Sequence, residues 1–304
     1  MVMKVRYLAL AGIACLLLSA CSDQSSKPIA VGAIPVVNSV DQVLRPIDRF
    51  VPTLEDDQKL AKAEKIVIKK CMKTFNFSYT GGDGGDSTLN GLSDIARGYK
   101  RSTPLYGYFG TDMPSSLGYN RIAELSPDPP HDSEYLTALG GTDSTGKPVN
   151  SLRGLDVPPG GCSKRGSDAI GGALPRPDDR SLPDGGPRIP EKDSRIAKAD
   201  SAWSACMKNA GFNYRDPVNA FLDTRWSRSP DPSKIIHTSD EVATESADLR
   251  CKKSTNLIGI AIAVQAAYDQ KYIATHTRAL TDFQSQLTSR LHDADVVISS
   301  ELNG

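Results

Sequence analysis

Apolar positions along this chain change their spacing from one stretch to the next. Residues 7–18 form an unbroken apolar run, too short to cross a bilayer as a mature helix, and Lys4 and Arg6 precede it. That is the pattern of an export signal. Residues 22–43 show no sustained period and predict a mobile tether. Regular spacing begins after Thr53, a good N-cap with Asp56 three residues on. Leu60, Ala63, Val67 and Cys71 then recur on one helical face, so Cys71 points at a core.

Helical spacing returns at Asp193 or Ser194, with Ile196, Ala199, Trp203 and Met207 on one side. Asp216 and Pro217 read as N-cap and first residue of a short helix to Phe221. Ser239 caps a further helix, with Ala243, Ala247 and Cys251 sharing a face. An apolar stripe then runs through Leu257, Ala261, Val264, Tyr268, Tyr272, His276, Leu280, Phe283, Leu287, Leu291, Ala294 and Ile298. Its eleven steps cover 298 − 257 = 41 residues, about 3.7 each, which predicts one long helix and not a leucine zipper. Asp293, Asp295 and Glu301 oppose the helix dipole at its end, so the last turns should fray.

Between these helices the spacing breaks down. Residues 81–118 are Gly-rich, with a helical turn expected at 92–96 and with aromatics, Tyr99, Tyr106, Tyr108 and Phe109, followed by Tyr119, that can bury against helices. Residues 135–139 fit helix or strand, and 149–157 a short strand or hairpin before the turn Pro158-Pro-Gly-Gly-Cys162. Residues 163–190, rich in Gly, Pro and Asp, predict a long surface loop.

One internal repeat stands out. Cys71-Met-Lys-Thr-Phe-Asn-Phe-Ser-Tyr79 recurs as Cys206-Met-Lys-Asn-Ala-Gly-Phe-Asn-Tyr214, each at a helix end. Asn76 and Gly211 are the residue types that most readily turn left-handed after a helix, and counting back pairs Met72 with Phe77 and Met207 with Phe212 as the apolar contact of a Schellman cap. The paired aromatics Phe77/Tyr79 and Phe212/Tyr214 either pack or line a groove.

The expected fold is therefore mainly α: a disulfide-stapled helical domain with long Gly/Pro-rich loops, a few short strands and a long C-terminal helix. Gly 25 and Pro 20, with 6% aromatics, support the loops. The expected division is residues 1–20 as the signal, 21–45 as the N-terminus and tether, and 46–304 as a single extracytoplasmic domain. Subtracting the two basic residues of the signal leaves 34 Lys and Arg against 36 Asp and Glu, a difference of −2 with no attraction to nucleic acid.

Leu18-Ser19-Ala20-Cys21 resembles the lipobox of bacterial lipoproteins, which implies lipidation of Cys21. A diacylglyceryl group supplies two chains, enough for stable attachment. Setting aside Cys15 with the signal and Cys21 with the lipid leaves Cys71, Cys162, Cys206 and Cys251. In an oxidising compartment four cysteines read as two disulfides with three connectivities. Each repeat copy supplies one cysteine at a helix end and is followed by one more, so Cys71 with Cys162 and Cys206 with Cys251 is the simplest pairing.

Further motifs extend the resemblance. The lipobox, Pro46-Ile-Asp48-x-Phe50, Pro159-Gly-Gly-Cys162, Trp203-Ser-x-Cys206-Met207 with Gly211-Phe-x-Tyr214, and Asp248-Leu-Arg-Cys251-Lys before a long helix resemble uncharacterised lipoproteins of actinobacterial cell envelopes over most of the mature chain. Departures are Asn76, where such proteins often have Gly, and the long segment after Cys162. The resemblance implies an envelope protein and brings no catalytic residues.

Candidate chemistry is sparse. Gly141-Thr-Asp-Ser-Thr-Gly-Lys147 begins like a P-loop, but Pro148 replaces the Mg-binding hydroxyl and no apolar strand precedes it. Ser144-Thr-Gly-Lys147 fits an S-x-x-K pattern, yet Gly146 and Pro148 oppose the helix that motif opens. His131-Asp132-x-Glu134, and Asp83 with Asp86, lack the ligand spacing of a metal cage. His276 reads as a packed, hydrogen-bonded histidine, and His237 and His292 have no sequence companions. The function expected is a non-catalytic lipoprotein on the outer face of the cell membrane, presenting a binding or scaffolding surface to an envelope protein or cell-wall partner, with no cofactor. A solute-binding lipoprotein of a transporter would need two βαβ lobes, and that alternation is absent. An envelope hydrolase would need residues that converge only in space.

Overall fold

Thr53 opens the first helix by a reciprocal cap: its Oγ1 accepts from the Asp56 N–H, and the Asp56 carboxylate accepts from the Thr53 N–H. In this computed structural model, which describes residues 29–79, 102–109, 119, 131–175, 178–226 and 236–302, α1 then runs Leu54–Thr74. Cys21, residues 92–96, Tyr99, Asp83 and Asp86 lie outside the described residues. Residues from Val31 onward form one compact unit.

Both repeat copies end as their spacing predicts. Asn76 (φ 63°) and Gly211 (φ 92°) are left-handed. The Phe77 N–H donates to the Met72 carbonyl at 3.1 Å and the Phe212 N–H to the Met207 carbonyl at 2.9 Å, the long bond of a Schellman cap. The second copy closes α4 (Ser194–Asn209), which buries Ile196, Ala199, Trp203 and Met207, the four residues its spacing picks out.

Five further helices complete the α-structure among the described residues besides α1, α4 and α5 (Pro217–Phe221): α2 (Ser133–Gly140), α3 (Gly161–Ala169), α6 (Ser239–Thr255), α7 (Leu257–Thr275) and α8 (Thr277–Leu302). Two antiparallel hairpins join them. Strands β1 (Ser102–Thr103) and β2 (Gly107–Tyr108) pair Ser102 with Tyr108, and β3 (Ser151–Leu152) and β4 (Leu155–Asp156) pair Leu152 with Leu155. Helix α1 packs along α8 and against α3, while α4 packs on α6 and α7 and α5 sits on β2. The largest apolar core joins Trp203 and Met207 of α4 to Leu257, Ile258 and Ala261 of α7, with Tyr106, Tyr108 and Tyr119. A second core surrounds Cys71 and Cys162.

Four expectations are corrected. The stripe from Leu257 is buried or half-buried at every position, but the helix breaks at His276. The Thr275 and Thr277 hydroxyls and His276 Nδ1 bond to carbonyls at positions 271–273, and such insertion into the i→i−4 ladder bends a helix. Residues 163–190 are not a plain surface loop: they hold most of α3 and 3₁₀ turns at Asp179–Ser181 and Pro183–Gly185. Ile170 and Leu182 are buried there, and a Cβ on Gly166 would stand 2.5 Å from Ile68 Cγ1, so glycine permits the close α1–α3 approach. The tether expected at 22–43 joins the fold in its second half, where Val37 and Val43 enter the main core. In α6 the cap is Thr238, whose Oγ1 accepts from the Glu241 N–H, and Ala243 is exposed while Glu241, Thr244, Glu245, Asp248 and Lys252 are buried.

Candidate functional site

Helix α7 is apolar on almost every side, so its two buried polar residues, Gln265 and Asp269, demand partners. They lie one turn apart and bond to each other, Gln265 Nε2 donating to Asp269 Oδ1 at 2.8 Å. Arg45 completes the set from 224 residues away. Its Nε donates to Asp269 Oδ2 at 3.0 Å and its Nη2 to Oδ1 at 2.7 Å, and Nη2 also lies 2.8 Å from Asp179 Oδ2. Burial pushes the Asp269 carboxyl up, while the Arg45 and Gln265 bonds pull it back.

Arg45, Asp179 and Gln265 of this network line a cavity of about 300 Å³ where four segments converge. The N-terminal segment contributes Val43, Arg45 and Asp48; the β1–β2 hairpin contributes Thr103, Pro104, Leu105 and Tyr106. Asp179, Arg180, Gly185, Pro187 and Ile189 come from the stretch expected as a loop, and Ile262 and Gln265 from α7. Val43, Leu105, Tyr106 and Ile262 are buried, whereas Ile189 and the Arg180 side chain are exposed, so the latter two stand at the mouth. Burial holds the Tyr106 phenol well above its ordinary value. The Arg180 guanidinium forks onto Asp178.

No family model, curated protein or solved structure matches the chain. Its chemistry therefore rests on its own geometry. Cys71 bonds to Cys162 and Cys206 to Cys251, with Cα separations of 5.6 and 5.7 Å, the sequential pairing. Cys162 sits in the first turn of α3, not on a bare turn. The second bond clamps α4 to α6, and beside it lies a buried polar cluster that residue spacing did not reveal. Asp248 accepts from Tyr119 Oη at 3.1 Å, Trp203 Nε1 at 2.9 Å and Lys252 Nζ at 2.7 Å, and Lys252 also donates to the Tyr108 carbonyl. Burial pushes Asp248 up and Lys252 down, and their pairing opposes both shifts. Burial also raises Glu245 to about 7 and Asp200 to about 6.

The motifs of the sequence fall elsewhere. Asp132 caps α2 by accepting from the Tyr135 N–H, His131 stacks on Tyr135, and Glu134 pairs with Arg153 at 2.5 Å, so the His131-Asp132-x-Glu134 group is consumed locally. The Gly141–Lys147 loop follows a helix, and Asp143 Oδ1 fills it by accepting from Thr145 and Lys147 N–H groups. Ser144 is exposed. His276 stacks on Tyr272 and bonds its carbonyl, as expected of a packed histidine. His237 does have a companion, Glu241 Oε2 at 3.2 Å. Phe77 packs edge-on against Tyr135 with Arg153 over its face, and Phe212 and Tyr214 pack on the main core, away from the cavity.

Proposed function

We propose that this protein is a non-catalytic lipoprotein, anchored through Cys21 to the outer face of the cell membrane, that holds a small ligand in the cavity lined by Arg45, Asp179 and Gln265. On this reading it is one of the actinobacterial envelope lipoproteins it resembles. The observation that carries the binding role is the cavity itself: an apolar chamber with a small set of polar groups at one side is the usual form of a ligand site. Arg45, which lines the cavity, is held by Asp269 behind, and this supports binding over a nucleophile and base held ready for catalysis. The Leu18–Cys21 pattern supports the anchor.

Two measurements test it. Expressed in a bacterial host, the protein should partition into detergent and Cys21→Ala should release or misprocess it; unchanged membrane retention in that variant contradicts the anchor. A thermal-shift screen of small solutes should yield stabilising ligands whose effect disappears in Ile262→Trp, which fills the cavity. Ligands whose effect survives that substitution would contradict the site.

A further inference from the structure

We propose that the ligand is a small organic cation, with its ammonium group beside Asp179 and its apolar body against Leu105, Tyr106 and Ile262. The inference rests on the binding role just proposed and names its ligand class. Charge is the first argument. Among the described residues the charged groups that line the cavity are Arg45 and Arg180 against Asp48 and Asp179, a balanced set, and each arginine is already held by a further carboxylate, Asp269 or Asp178. Arg45 is forked on Asp269 and bridged to Asp179, and Arg180 is forked on Asp178. An anionic ligand would have to share guanidiniums that already bind carboxylates. A cation instead shares Asp179 with Arg45, which bonds its Oδ2 and leaves Oδ1 without a partner among the described residues.

Asp179 is the second argument. Its side chain is 8% exposed, and its Oδ2 meets Arg45 Nη2, but its Oδ1 is buried with no hydrogen-bond partner among the described residues. A buried carboxylate oxygen left without a donor carries an unrecovered desolvation cost, and an N–H from the ligand is the group that recovers it. The apolar wall and the cavity's volume, at the low end of the roughly 300–1,000 Å³ spanned by ligand pockets, set the remaining requirement: one small apolar body.

The test uses the full lipoprotein in nanodiscs, with empty nanodiscs as the blank, and calorimetric titration of 2-phenylethylamine, 2-phenylethanol and 3-phenylpropionate. The amine should bind at least about tenfold more tightly than either isostere, the difference expected for a charge-assisted hydrogen bond. Asp179→Asn should remove that advantage and leave the alcohol unchanged, and Ile262→Trp, which leaves every ion pair in place, should abolish amine binding should the first variant misfold. Alcohol or acid binding as tight as the amine, an amine advantage that folded Asp179→Asn retains, or amine binding that Ile262→Trp retains overturns the cation assignment. Where the acid or alcohol binds as tightly as the amine and Ile262→Trp abolishes that binding, the ligand-holding role stands and only the cation assignment falls. Where no probe and no solute of the thermal-shift screen binds, both fall.

Discussion

Asp57 lies one turn into α1, is 1% exposed, and neither of its carboxylate oxygens has a hydrogen-bond partner among the described residues. Burial, with a smaller push from Asp56 and an opposing pull from Arg290, raises its pKa from 3.8 to about 7. A carboxyl whose folded pKa exceeds its unfolded value keeps its proton longer in the fold. Folding is therefore favoured below about pH 3.8, and that stability is lost as pH rises toward 7. A shift of about three units corresponds to about 4 kcal/mol at 1.36 kcal/mol per unit, an upper bound that relaxation and water around the ion reduce. Asp57→Asn removes the ionisation cost and retains an unpaired polar amide. It should therefore stabilise the protein by about 2 kcal/mol near pH 8.5 and change stability little near pH 4. Urea unfolding of both proteins across that range, with disulfides intact, measures the difference. An effect of Asp57→Asn that is independent of pH, or equal destabilisation at both ends, refutes the reasoning.

Glu245 and Asp200, raised to about 7 and about 6, have the same sign, so Asp57→Asn should still lose stability between about pH 4 and 7 in the same urea series. Replacing Cys206 and Cys251 together by Ser opens a 45-residue closure and should cost about 4 kcal/mol, and the 91-residue closure of Cys71 and Cys162 about 4.6, both read by chemical unfolding. Lys252→Met strands the Asp248 carboxylate in the core and should cost about 3–5 kcal/mol, far more than Lys253→Met on the exposed side of the same helix. Gly166→Ala drives a methyl into Ile68 and should cost about 1–3 kcal/mol, part of which Ile68→Ala restores in a double-mutant cycle.

What this sequence determines by itself is what a few adjacent residues can decide. Thr53 with Asp56, Asn76 and Gly211, Asp193, and Asp216 with Pro217 each complete a cap within five residues, and each helix end stands where that local chemistry puts it. The cysteine pairing was legible for a related reason: the repeat marks two helix ends, and each needs one later cysteine. The candidate cavity was not legible. Arg45 meets Asp269 across 224 residues and Tyr119 meets Asp248 across 129, and nothing near any of them marks the partner. An aspartate on a helix face reads as solvated unless another element covers it, so the burial of Asp57, Asp248 and Asp269 is a property of packing. The stretch 163–190 misled for the converse reason: its Gly, Pro and Asp content suits a loop, yet two apolar side chains, Ile170 and Leu182, found cores made elsewhere. Backbone termination is settled by hydrogen bonds a few residues long, whereas burial of charge is settled only when distant segments close over it, and the site depends on the second.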